Sequence, residues 1–194
     1  MGATPPGTMP DPRRPMPGIF TIGHSNASSG AFVALLQRHA IGLLVDVRAA
    51  PYSRRHPQFR RETLAAALDL AGIRYRWLGA ALGGLRAPRG ASVHTALTEP
   101  AHQAYAAHMA DVDFLDAVDK LVDVGARHRV ALMCAEADHR HCHRQFIADA
   151  LTARGVIVTH IGHGDSLEPH VTHPCLRIEG GALIYDRHGQ AGLF

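Results

Sequence analysis

VALMCAEADHRHCHRQFIADALTARGVIVTHI, residues 130–161, is the stretch on which the fold turns. Val130–Cys134 is a continuous apolar run, the pattern of a strand buried on both faces. His139–Arg154 predicts a helix with Cys142, Phe146, Ile147, Ala150 and Leu151 along one face and Gly155 as its stop. Val156–Ile161 predicts another strand. A strand, a helix and a strand in this compass form a βαβ unit, whose strands run parallel.

Outward from this unit the same alternation continues. Ile19–Gly23 reads as a strand, followed by a helix with Phe32, Leu35, Leu36 and His39 at helical spacing and Ser28 or Ser29 as its cap. Leu43–Val47 predicts a second strand, Glu62–Ala71 a helix ended by Gly72, and Ile73–Leu78 a third strand. Gly79–Pro100 is rich in small residues and reads as a long loop, a kind of segment that often carries function. Thr98 and Pro100 open a helix carrying Tyr105, Met109 and Val112. A break at Asp111–Asp113 leads into a helix with Phe114, Leu115, Val118, Leu121 and Val122, stopped by Gly125. Leu176–Glu179 and Ala182–Tyr185 flank Gly180-Gly181, the pair that favours a type I′ hairpin turn. The expected fold is α/β: three layers, a doubly wound, mostly parallel sheet of about five strands, and a C-terminal β-hairpin. One domain is expected over residues 18–194, with 168–194 as a loop and hairpin appendage and 1–17 as a disordered, proline-rich tail.

Composition narrows the class. The chain has 194 residues, of which 46% are hydrophobic and 19% charged, so a globular protein is expected. No apolar run reaches the ~18 residues of a membrane span, and the amino terminus lacks the apolar core of a signal peptide. Three cysteines without a secretory signal point to the cytoplasm. The net charge of +3 is unevenly spread. Residues 47–95 hold nine arginines against Glu62 and Asp69, a block that attracts phosphates, polyanions or an acidic partner.

In a sheet of this kind ligands bind beyond the carboxyl ends of the strands. That edge is expected to collect His24-Ser25-Asn26, Asp46-Val47-Arg48, Leu82-Gly83-Gly84, Cys134-Ala135-Glu136 and 160–163. The segments TIGHSN (21–26), LLVDVR (43–48), PYSRRHPQF (51–59), LGG (82–84), YAAHM (105–109) and CAEADHRHCHR (134–144) closely resemble those of the bacterial and archaeal family called domain of unknown function 488, as does the closing EGGALIYDR…GLF. The resemblance implies an α/β fold and a shared polar site, and brings no activity with it.

The residues suggest three chemistries. In the leading one the chain is an enzyme acting on an anionic, phosphate-bearing small molecule or nucleotide. Arg48, Arg54 and Arg55 position the anion with Ser25, Asn26, Gly83 and Gly84. Cys134 is the nucleophile or redox thiol, lowered in pKa by the start of the following helix. Glu136, Asp46 and His24 move protons, and Arg144 steers the Glu136 carboxylate. Cys134–Arg140 has the C-x5-R spacing of cysteine phosphatases, but Glu136 and Asp138 within it would repel a phosphate. The second chemistry is nucleic-acid binding through the segment 48–61, where arginines alternate with Tyr52 and Phe59. The third is a metal site at Cys134, Cys142 and His143, with His24 at the same edge. Against it, two adjacent helical residues such as Cys142 and His143 point about 100° apart. No cofactor is specified by any of these motifs.

Overall fold

A computed structural model describes residues 17–187. The expected tail, 1–17, and the last residues of the expected hairpin appendage lie almost wholly or partly outside the described residues. The first six strands are β1 (Gly18–Gly23), β2 (Leu43–Asp46), β3 (Arg74–Trp77), β4 (Arg129–Cys134), β5 (Val158–Ile161) and β6 (Leu167–Pro169). They form one sheet in the order β3-β2-β4-β1-β5-β6. The first five are mutually parallel, and β6 adds an antiparallel edge to β5. The last two strands, β7 (Leu176–Glu179) and β8 (Ala182–Tyr185), pair as the expected hairpin. Its turn places both Gly180 and Gly181 at positive φ, as a type I′ turn requires.

Strand alternation sorts the core into two halves. Phe20, Ile22, Leu44, Ala131, Met133 and Ile161 face α1 (Ser29–Arg38) and α2 (Arg61–Leu70) through Phe32, Leu36, Leu64 and Leu68. The alternate residues, Ile19, Leu43, Val45, Val130, Leu132 and Cys134, face the opposite layer. After the short helix α3 (Gly79–Leu82), that layer is built from α4 (Pro100–His108), α5 (Val112–Gly125) and α6 (Arg144–Thr152). Among the described residues no helix is long and apolar enough to cross a membrane.

The hairpin is tied firmly to the second layer. Tyr185 is fully buried, and its hydroxyl donates to the buried Asp149 carboxylate of α6 at 3.0 Å. Its backbone N–H donates to His94 Nδ1, and its carbonyl accepts from the Ala96 N–H at 3.1 Å. The loop before α4 therefore takes its position from β8.

Three local differences from the sequence reading bear on function. The expected helix over His139–Arg154 is instead a single 3-10 turn, His139–His141, then an extended Cys142 (φ −135°, ψ 149°), and only then α6. Asp138 causes this, because its carboxylate caps the turn by accepting the Arg140 N–H at 2.9 Å. The long loop contains α3. The strand β6 was unreadable because its three residues are all exposed and carry no alternation.

Candidate functional site

The chain leaves β2 toward β3 and leaves β4 toward β5, in opposite directions along the sheet. Their loops diverge, and a crevice opens between the two carboxyl ends, where α/β sheets bind ligands. It has a volume of about 500 Å³. One wall comes from 48–50 after β2, another from 134–136 after β4, and the rest from Gly84, Leu85, Ala101, His102, Tyr105 and 141–143.

Three side chains converge in this crevice. Cys134 ends β4 and points into the second layer, Cys142 sits in the extended step before α6, and His143 is the residue that precedes the helix. His143 Nδ1 lies 3.6 Å from Cys142 Sγ and 3.9 Å from Cys134 Sγ. The three ligand-capable atoms all fall within 4.8 Å of one another. The other ring nitrogen, Nε2, donates to the Val47 carbonyl at 2.9 Å, and this fixes Nδ1 toward the sulfurs. Because Cys142 is extended rather than helical, adjacent residues can aim at one point, and the objection drawn from helical geometry falls.

Electrostatics divides the two thiols. The neighbouring Cys134 thiol holds Cys142 well below the usual thiol range, with His143 and Arg144 acting the same way against burial. The proximity of Cys142, together with burial, pushes Cys134 up. Ionisation is thus favoured at Cys142 over Cys134, whereas the sequence reading expected the lowered thiol at Cys134.

Arg144 is almost completely buried beneath this cluster. It donates through Nε to Cys142 Sγ at 3.5 Å and through its terminal nitrogen to the Glu136 backbone carbonyl at 2.5 Å. It holds the loop by its backbone and does not steer the exposed Glu136 carboxylate, as the sequence suggested. Glu136 itself lines the crevice.

The neighbouring strand end is organised differently. Asp46 is fully buried, and Arg48 grips it with two parallel bonds of 2.9 and 2.6 Å. Tyr75 donates a third at 2.7 Å, and the negative charge raises that phenol's pKa after burial has already done so. Arg48 also donates to the Phe59 carbonyl and contacts His24 Nε2 at 3.2 Å. A guanidinium so engaged is a girder for the loop at 48–61, in place of the anion clamp expected from the sequence. His24 is buried, stacked on Phe59 with ring centres 4.0 Å apart, and hydrogen-bonded through Nδ1 to the Ser25 carbonyl. Burial is the main reason its pKa drops to about 4, so it is neutral at pH 7.

His24 does not join the cysteines. With Ser25 (φ 46°) and Asn26 it lines a separate crevice of about 390 Å³ on the α1 side of the sheet. Arg54 and Arg55 are exposed on the 48–61 loop and line neither crevice. Gly83 is buried, while Gly84 lies against His143, where an added Cβ would come within 2.7 Å of Nδ1. Arg140 forms ion pairs with Glu168 and Asp138 and belongs to no phosphate-binding loop around Cys134. Sequence reasoning missed His102, His141 and the anchoring of His143 by Val47. The segment containing Tyr105 did stand out, and its hydroxyl ties α4 to the Leu82 carbonyl at 2.8 Å.

The family model described as domain of unknown function DUF488 matches residues 28–151. The chain belongs to that family. The match spans Asp46, Arg48, Tyr75, Gly84, Cys134, Cys142 and His143, while His24 lies just before its start. No curated protein and no solved structure matches the chain.

Proposed function

We propose that the crevice between β2 and β4 is the active site of a zinc-dependent enzyme, with Cys134, Cys142 and His143 as the protein ligands. Zinc bonds of about 2.3 Å to sulfur and about 2.0–2.1 Å to nitrogen, set at tetrahedral angles, require sulfur–nitrogen separations of about 3.6 Å. The observed 3.6 and 3.9 Å match that requirement, and this is the observation that carries the reading. Two further features support it. The bond from His143 Nε2 to a backbone carbonyl is the usual second contact of a zinc-bound imidazole. The bond from Arg144 to Cys142 Sγ offsets thiolate charge.

Three protein ligands would leave a position for water or substrate, and all three residues line the crevice, with Cys134 and Cys142 buried at its floor. A zinc ion so held supplies Lewis acidity toward a substrate oxygen. Glu136, exposed in the wall beside Cys134, is the group placed to carry protons, and His102 and His141 offer imidazoles to polar substrate atoms. The reaction class that fits is metal-assisted hydrolysis or a related addition on a polar small molecule.

The test is metal analysis of tag-free protein, followed by replacement with cobalt(II). The expected result is one equivalent of zinc and, with cobalt, the near-ultraviolet charge-transfer band of thiolate ligation. Cys142→Ser should abolish both. A folded wild-type protein that takes up neither metal, while Cys142 alkylates readily at neutral pH, overturns the zinc reading in favour of a bare thiolate nucleophile.

A further inference from the structure

The loop at 48–61 presents a second surface, separate from the zinc reading. Phe59 plugs it into the core, stacked on His24 and edge-on to Phe32 at 5.2 Å. The Arg61 N–H donates to the Pro51 carbonyl at 3.1 Å and closes its neck, and Gln58 bonds the Ala27 carbonyl. With its backbone so fixed, the loop leaves Tyr52, Arg54 and Arg55 exposed, and Arg60 donates through Nε to the Ser53 carbonyl at 3.1 Å. Arg60 lies over the ring of Tyr52 at 4.9 Å and Arg61 over that of Trp77 at 5.0 Å. Arg54 and Arg55 are exposed between them in sequence, and Tyr52 is 62% exposed.

These guanidinium groups are clustered on one loop and, like Arg74, Arg76 and Arg127 elsewhere on the surface, hold no carboxylate among the described residues. Arg38, Arg89, Arg140, Arg154 and Arg177 each hold a carboxylate. Among the described residues Arg54, Arg55, Arg60 and Arg61 form no ion pair. Four cations left without anions, beside the ring of Tyr52 on a preorganised loop and that of Trp77 at the end of β3, match a chain of phosphates with unpaired bases.

We propose that this face binds single-stranded nucleic acid, the arginines meeting phosphates and Tyr52 and Trp77 meeting bases. An acidic peptide would satisfy the charges but leave the rings unused. A duplex hides its bases from the rings. The loop runs directly into Ala49 and Ala50 of the crevice wall, so a bound strand would pass the crevice mouth.

The experiment is fluorescence anisotropy with a labelled oligothymidine of about twelve nucleotides, a length within the range one small binding face covers. Competitors are the matching duplex and polyglutamate, and salt is varied. Saturable binding is expected, with a log–log salt slope of about −2 to −3 for three to four phosphates. Arg54→Ala with Arg55→Ala should make the slope shallower by about 1.4, and Tyr52→Ala should weaken binding about tenfold. All three positions are exposed, so unchanged melting curves show that the fold survives. Absence of binding at low salt, equal competition by duplex or polyglutamate, or indifference to all three substitutions overturns the proposal. Metal content plays no part in any of these outcomes.

Discussion

Two polar clusters sit at the ends of adjacent strands, and they teach different lessons. At the end of β2, Asp46, Arg48, Tyr75, His24 and the Phe59 carbonyl answer one another's hydrogen bonds, and a buried ion pair is left with every charge matched. At the end of β4, two sulfurs and a nitrogen aim at a common point and open on a crevice. Burial and polarity are common to both. What separates them is closure: a saturated network orders the backbone, whereas converging lone pairs invite something to bind.

The strongest way to break this contrast is Asp46→Asn. It strands the Arg48 charge in the interior, and a loss of about 3–5 kcal/mol of stability is expected from urea unfolding. Zinc per folded molecule should stay unchanged, and a simultaneous loss of metal would show that the clusters are one unit. Next in size is Gly84→Ala, whose methyl group would press on His143 Nδ1. Zinc affinity measured against a chelator should fall about 10- to 100-fold, as for other disturbed ligand supports, while the unfolding midpoint of the metal-free protein barely moves.

His24 sharpens the comparison through pH. Its pKa is lowered from 6.5 to about 4, first by burial, with Arg48 and His56 adding to the effect and Ser25 and Asp46 opposing it. The unfolded chain binds that proton more readily, so stability is full above pH 6.5 and declines as pH falls toward 4. Denaturation midpoints at pH 7 and pH 5 should therefore differ less in His24→Gln than in the wild type. A remaining slope is expected from His160, lowered to about 3 by burial and its histidine and arginine neighbours. The smallest effect belongs to Tyr75→Phe. Asp46 keeps both Arg48 bonds, and a cost of about 1 kcal/mol in the same unfolding assay is expected.

The alternation of strands and helices was legible because apolar runs and helical periodicity are local properties. The parallel pairing and the edge on which the polar segments gather followed from that alternation. Strand order was not legible, since nothing in Leu43–Asp46 or Arg129–Cys134 names its neighbour. At the site, Cys134, Glu136, Gly84, Cys142 and His143 could all be picked out by residue type. Their convergence could not, because it depends on Cys142 being extended, and that step follows from a cap at Asp138 that interrupts an otherwise helical pattern. His24 shows the converse. It stands at the end of the strand beside β4, yet the turn at Ser25 keeps it with the opposite crevice.

The docking of Tyr185 has a consequence for how the protein is made. Every zinc-ligand candidate has been synthesised by residue 143, but the wall that includes Ala101 and His102 follows a loop pinned at His94 and Ala96 by the last described strand. While the ribosome still holds that strand, the cysteines and the imidazole can meet, yet the pocket around them lacks its frame. On the zinc reading an ion could load before the cavity is complete, since the frame at His94 and Ala96 forms only once β8 has emerged and docked.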